Sequence, residues 1–143
     1  MNAATLLSPD GTVSTEWLAA RLEAPWLRIV DVRVGPFVRG RVPGSTLLDV
    51  GKRLLHRDGS VVSAPELAMA MSEIGVGDAH TVVLVDGDAP LDATIAAKAL
   101  RRYGHQGTHV LAGGFPRWAR ERRPVVTELA RHPFASFTAR TPS

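Results

Sequence analysis

Along the chain, short apolar runs alternate with longer stretches in which apolar positions recur every three or four residues. The segment "STEWLAARLEA" (14–24) predicts a helix: Ser14 or Thr15 can cap it, and Trp17, Leu18, Arg21 and Leu22 share one stripe. "LRIVDV" (27–32) is short and apolar, a buried strand, and "TLLDV" (46–50) is a second. Between them "GPFVRGRVPGS" (35–45) is punctuated by Gly and Pro and reads as a loop. After a polar connection, "SAPELAMAMSEIG" (63–75) predicts a helix with a capping box from Ser63 to Glu66 and Gly75 at its end. "TVVLVD" (81–86) is β-branched and apolar on both faces, the pattern of a central parallel strand. "PLDATIAAKALRRYG" (90–104) predicts a helix with Pro90 near its start and Gly104 past its end. "THVLAGG" (108–114) predicts another strand and "FPRWARERR" (115–123) a last short helix. The remainder, 124–143, carries Pro124, Pro133 and Pro142 and reads as a linker or a surface-hugging arm.

Strands alternating with helices predict an α/β fold, an open and mainly parallel sheet with helices on both faces. Ligands of such sheets sit beyond the carboxyl ends of the strands. Asp31, Asp86 and the Gly113-Gly114 pair all end strands, so they are expected on one rim.

The 143 residues suit one domain, and the 45% hydrophobic content is enough for an ordinary core. No apolar run is long enough to span a bilayer. The start, "MNAATLLSPDG", lacks a basic region and meets an acid and a turn early, so neither a signal nor a transit peptide is expected and a cytoplasmic protein is the default. There is no cysteine, which excludes disulfides, thiolate metal sites and thiol catalysis by this chain alone. The net charge of +3 reflects an excess of arginine, in basic groups at 39–41, 52–53, 101–102 and 117–123. Aromatic residues do not interleave with them, which argues for solvated helix faces and against a nucleic-acid surface. Five histidines are scattered. Only His105 and His109 have i, i+4 spacing, and a glycine-containing turn separates them, so no metal site is expected. No cofactor is implied.

The candidate chemistry lies in "VVLVDGDAPLD". One reading is an Asp-based phosphotransferase using Asp86 and Asp88, since the stretch resembles the first motif of the haloacid-dehalogenase-like hydrolases. Too little chain follows for that family's later magnesium-binding segment. A second reading is structural. Asp88 caps the helix beginning near Pro90 and Asp86 satisfies the N–H groups of the turn.

A third reading rests on resemblance. "VSTEWLAARLEAPWLRIVDVR" is similar to the opening helix and Asp-x-Arg strand of the rhodanese domains, the fold of the thiosulfate and mercaptopyruvate sulfurtransferases. "FVRGRVPGS" resembles their tyrosine-x-x-glycine-histidine-isoleucine-proline-glycine-alanine loop, with Phe37, Gly40, Arg41, Val42, Pro43 and Gly44 in its places. "SAPELAMAMSEIGVGDAHTVVLVD" resembles the helix and strand leading to the active loop, and "VLAGGFPRWARERRPV" the closing segment, with Ala112 where Asp is usual. The resemblance implies a five-stranded sheet, its fifth strand being "TVS" near residue 12. It also implies a domain over 1–123 followed by an arm, 124–143, like an interdomain linker. In active members a cysteine ends the strand that matches "VVLV" and carries sulfur as a persulfide, with backbone N–H groups and often a basic residue cradling the anion. Here that position is Asp86, and the equivalent loop is Asp86, Gly87, Asp88, Ala89, Pro90 and Leu91. A carboxylate oxygen cannot take the place of the sulfur, and two carboxylates repel thiosulfate. The expectation is therefore a non-catalytic domain like the N-terminal half of tandem members. It would support or regulate a cysteine-bearing partner, a second rhodanese-like domain in homo- or hetero-association. An independent module binding a small anion or a protein is the alternative. Arg33 and Arg41 are candidate anion contacts at the rim, with pairing to Asp31 or Asp49 as their structural use.

Overall fold

The computed structural model describes residues 11–141. The region read for a leader peptide lies almost entirely outside them. Five strands form one sheet: β1 (Thr12–Val13), β2 (Leu27–Asp31), β3 (Ser45–Leu47), β4 (Thr81–Val85) and β5 (Thr108–Leu111). Their spatial order is β1-β5-β4-β2-β3, and every pairing is parallel. The short "TVS" strand is present as β1, at the edge.

The sheet is covered on both faces. β4 shows why: successive side chains point to opposite faces, and all of Val82 to Val85 are buried. Val82 and Leu84 pack with Val30 under α2 (Val50–Arg53), α3 (Ala64–Glu73) and α4 (Leu91–Arg102). Val83 and Val85 pack with Ile29 under α1 (Thr15–Ala19) and α5 (Gly114–Arg120), where Trp17, Leu18 and Trp118 close the second core. Among the described residues, no helix is long and apolar enough to cross a membrane.

Several boundaries differ from the sequence pattern, each for a physical reason. The first helix stops at Ala19 instead of running to residue 24. Arg21 and Ala24 donate three residues back, in tight turns, because Pro25 holds the preceding residue away from helical geometry. The second strand ends at Leu47, since Asp49 turns from strand to cap and accepts from the Lys52 N–H at the start of α2. That four-residue helix takes Val50, the last residue of the expected strand, and the start of the stretch read as a polar connection. Ser63 caps α3 as expected, its Oγ accepting from Glu66 N–H, while the Glu66 carboxylate accepts from that hydroxyl in place of the reciprocal main-chain bond of a capping box.

Residues 124–141 lie against the rest of the domain. Val126 pairs antiparallel with Arg41, Ala130 donates to the Ser45 carbonyl and Ala135 to that of Ser72. Phe137 is only 6% exposed and belongs to the α2–α4 core. Of the three tryptophans, Trp17 and Trp118 are buried, whereas Trp26 is 39% exposed and meets Trp17 edge-on at 6.1 Å.

Candidate functional site

The chain leaves β2 toward β3 on one side and leaves β4 toward β5 on the other. Their carboxyl ends therefore form the point where a parallel sheet opens a crevice. Asp31 ends β2, and Asp86 directly follows β4.

Asp86 is 8% exposed, and both of its carboxylate oxygens are engaged by main chain. Oδ1 accepts from Gly87 N–H at 2.8 Å, and Oδ2 accepts from Ala93 N–H at 2.9 Å, in the first turn of α4. Pro90, at the N-cap of α4, offers no side-chain acceptor. The helix is thus capped by a carboxylate seven residues upstream, which also suits the helix dipole. This corrects the expectation that Asp88 is the cap. Asp88 is exposed, as are Ala89, Pro90 and Leu91, while Gly87 is half-buried. Asp86 and Asp88 thus lie in different environments, one buried and bonded, one in solvent.

The Asp86 carbonyl accepts from Phe115 N–H at 2.8 Å, tying the loop to the start of α5. Gly114 makes this approach possible. A Cβ there would sit 2.5 Å from the Asp86 carbonyl oxygen and 2.7 Å from that of Gly87, and its φ is +61°. Gly114 therefore serves a close backbone crossing, while Gly113, at φ +75°, takes the left-handed position at the start of α5 that the tight strand-to-helix turn requires.

Arg33 and Arg41 converge on Asp31, which is fully buried. Arg33 donates from Nε and Nη2 to the two Asp31 oxygens, at 3.0 and 2.7 Å, and from Nη2 to the Gly40 carbonyl at 2.7 Å. Its guanidinium lies 4.1 Å over the Phe115 ring. Arg41 Nη1 lies 3.0 Å from Asp31 Oδ2, close enough for an ion pair yet not aligned as a hydrogen bond. Both guanidiniums are thus committed to one carboxylate, and the pairing with Asp49 that the sequence left open is not made. Phe115 and Gly40 complete this group; the sequence signals them only through "RGR" and "GGF".

Asp92, in the first turn of α4, faces two other acids. Burial pushes its carboxyl above the usual range, and Asp86 and Asp49 add to the effect. His109 is held below the ordinary imidazole range, first by burial and then by Arg101. His105 bonds the His80 carbonyl through Nε2, so the i, i+4 pair serves separate partners. Among the described residues, no three His, Cys, Asp or Glu side chains gather as a metal site.

A crevice of about 110 Å³ lies against the loop, lined by Gly87, Asp88, Pro90, Val110, Gly113 and Thr12. A larger hollow of about 590 Å³ lies elsewhere, between α1 and the Pro43-Gly44 turn. It holds one charged residue, Glu23, and none of the rim residues. The candidate site is therefore the smaller crevice, beside the rim residues.

Comparison with known proteins places the fold in a family. Residues 14–121 match the family model described as "Rhodanese-like domain". The "Sulfur carrier protein TtuD" of Thermus thermophilus is 30% identical over 87% of this chain and 45% of its own length. The "Thiosulfate sulfurtransferase" of Corynebacterium glutamicum is 28% identical over 90% of this chain and 44% of its own. The solved 3-mercaptopyruvate sulfotransferase SseA of Escherichia coli superposes with a TM-score of 0.80 at 22% identity, over 92% of this chain and 56% of that one. The chain spans about half the length of the curated relatives it matches, between 41% and 49% for those of thiosulfate sulfurtransferase name at opposite ends of that range. With its all-parallel five-stranded sheet and this match over most of its length, the chain belongs to the rhodanese-like domain family.

Proposed function

We propose that this is a non-catalytic rhodanese-like domain that supports or regulates a cysteine-bearing sulfurtransferase partner. The observation that carries the reading is Asp86. It stands at the end of β4, where the resemblance puts the sulfur-carrying cysteine, and its carboxylate occupies the N–H donors of Gly87 and Ala93. A persulfide relay needs a thiolate that attacks the donor's outer sulfur and is then relieved of it by an acceptor. This chain has no thiol to do either.

The rim supports the partner half of the reading. Val34 is 48% exposed, Phe37 86% and Leu91 68%, and all three lie on segments leaving the carboxyl ends of β2 and β4. Large apolar side chains so exposed around one rim suit contact with another protein surface. A docked second domain, similar to the remaining length of the relatives, would cover them. The alternative of an independent anion-binding module is weakened, because Arg33 and Arg41 both turn their guanidiniums onto the buried Asp31 carboxylate, which offsets one of their two charges.

Sedimentation with a cysteine-bearing rhodanese domain from the same genome tests the reading. The expected result is a complex that Phe37→Asp together with Leu91→Asp abolishes. A strictly monomeric chain indifferent to that domain would favour the binding-module alternative.

A further inference from the structure

The amino ends of the strands carry a second feature, independent of the rim. Residues 131–140 cross this end as a strap, over a path cleared by glycines. A Cβ on Gly75 would meet His132 Cβ at 2.3 Å, and one on Gly77 would meet Ala135 Cβ and the Ser136 carbonyl at 3.2 Å each. The strap is bonded along its length. Ala135 N–H donates to the Ser72 carbonyl, Asp78 N–H to that of Ser136, and Arg140 N–H to that of Tyr103. Thr138 donates from N–H and Oγ1 to the Asp78 carboxylate at 2.7 and 2.8 Å. Phe137 inserts beside the His105 ring, with centroids 5.0 Å apart.

The groups beneath the strap are mostly basic. His80 Nδ1 accepts from Gly77 N–H at 2.9 Å, so that nitrogen carries no proton in the docked form. Arg28, reaching from β2, donates from Nε to the Gly75 carbonyl at 2.9 Å. His132 comes from the strap itself, and His105 from the turn before β5, with Nε2 on the His80 carbonyl. Arg140 and Asp78 stand near His105 toward the far end, Asp78 being the acid that faces this group. Charging His80 would turn its accepting nitrogen into a donor aimed at another donor. Charging His80 and His132 together would set two cations beside Arg28.

We infer that residues 131–136 are an acid-releasable strap, held at neutral pH by uncharged His80 and His132 and loosened when both take up protons. Burial, then Arg28, hold both imidazoles below their ordinary range; at His80 the neighbouring His132 and His105 add to this, and at His132 the Gly44 carbonyl partly opposes it. The sign follows. The docked strap refuses protons that the lifted strap accepts from about pH 6.5 downward, so docking is complete above that value and weakens below it. Full relief of both groups would raise the lifted fraction about seventyfold between pH 7 and 5.5, an upper bound because Arg28 and His105 stay beside His80 when the strap lifts. The Thr138 hydrogen bonds pull the Asp78 carboxyl below the usual carboxylate range, so this anchor persists through the window and the loosening is confined to 131–136.

Amide hydrogen exchange on the full chain, corrected for the intrinsic pH dependence, tests this. Between pH 7 and 5.5, protection at Ala135 and Asp78 N–H is expected to fall at least about tenfold, while Val32 N–H, bonded within the sheet to Val85, keeps its protection. The pair His80→Asn and His132→Gln, which keeps an acceptor and a donor without the charge, should remove the fall. Unchanged protection in the native chain, or the same loss in the double variant, would overturn the proposal. Should the variant not fold, titration of the native imidazoles by NMR decides: values below about 6 for His80 and His132 support it, and ordinary values near 6.5 overturn it.

Discussion

Replacing Asp86 by alanine is expected to destabilise the domain markedly, although the residue performs no chemistry. The carboxylate satisfies two main-chain donors. Ala93 is fully buried, so its N–H would be left without a partner or water, at a cost of about 1–3 kcal/mol. Gly87 is half-buried and water can reach it, so its bond counts for about 1 kcal/mol. The two together give about 2–4 kcal/mol, a little above the ~0.5–2 kcal/mol of an exposed N-cap. For a domain of this size that lowers Tm by roughly 6–12 °C. Asp86→Asn keeps one acceptor oxygen and should lose about half as much. Urea unfolding followed by tryptophan fluorescence measures both, and the denaturant slope should stay constant. An Asp86→Ala loss under about 0.5 kcal/mol, or equal losses in the two variants, would show that the carboxylate does not cap α4.

Asp86→Cys restores a sulfur atom at the same donors and should give a thiol that alkylates readily, yet turns thiosulfate over at a trace rate; adding Asp88→Arg should raise turnover at least about tenfold, or about 1.4 kcal/mol. Asp31→Ala leaves Arg33 and Arg41 charged and mostly buried, and should cost about 3–5 kcal/mol in the same unfolding assay, far more than an exposed pair such as Arg53–Glu73. Phe137→Ala should cost about 3 kcal/mol if the strap belongs to the folded unit, and a loss near zero would reduce it to a tether. Glu121, bonded first by Thr15 and then by Arg123 and Arg117, has its carboxyl pulled down to about 2. Its stabilising effect is therefore present above about pH 4.5 and lost as pH falls through 2, so Glu121→Gln should flatten acid unfolding across that window.

The sheet was legible because buried parallel strands announce themselves: "TVVLVD" has no polar face to confuse with a helix. The two-residue strand at Thr12 has no such pattern, and only resemblance located it. The rim was legible in position, since Asp31 and Asp86 close their strands, but not in wiring. Which of Asp86 and Asp88 caps α4 depends on where Pro90 sends the chain, and sequence spacing favours the nearer acid. Likewise the sequence offered Arg33 and Arg41 two uses, anion contact or pairing with Asp31 or Asp49, and only the fold sets both against Asp31. The strap was half legible, since a surface-hugging arm was one of two readings of 124–143. Its hold is largely main-chain bonding across Gly75 and Gly77, which leaves no signal in the sequence, and nothing in the spacing distinguishes the buried Phe137 from the exposed Phe134.

The central claim concerns Asp86, and sulfur transfer by the purified chain tests it most directly. With thiosulfate as donor and cyanide as acceptor, thiocyanate should form no faster than in buffer. Turnover above that rate, persisting through gel filtration and removal of metals and free thiols, would contradict the account.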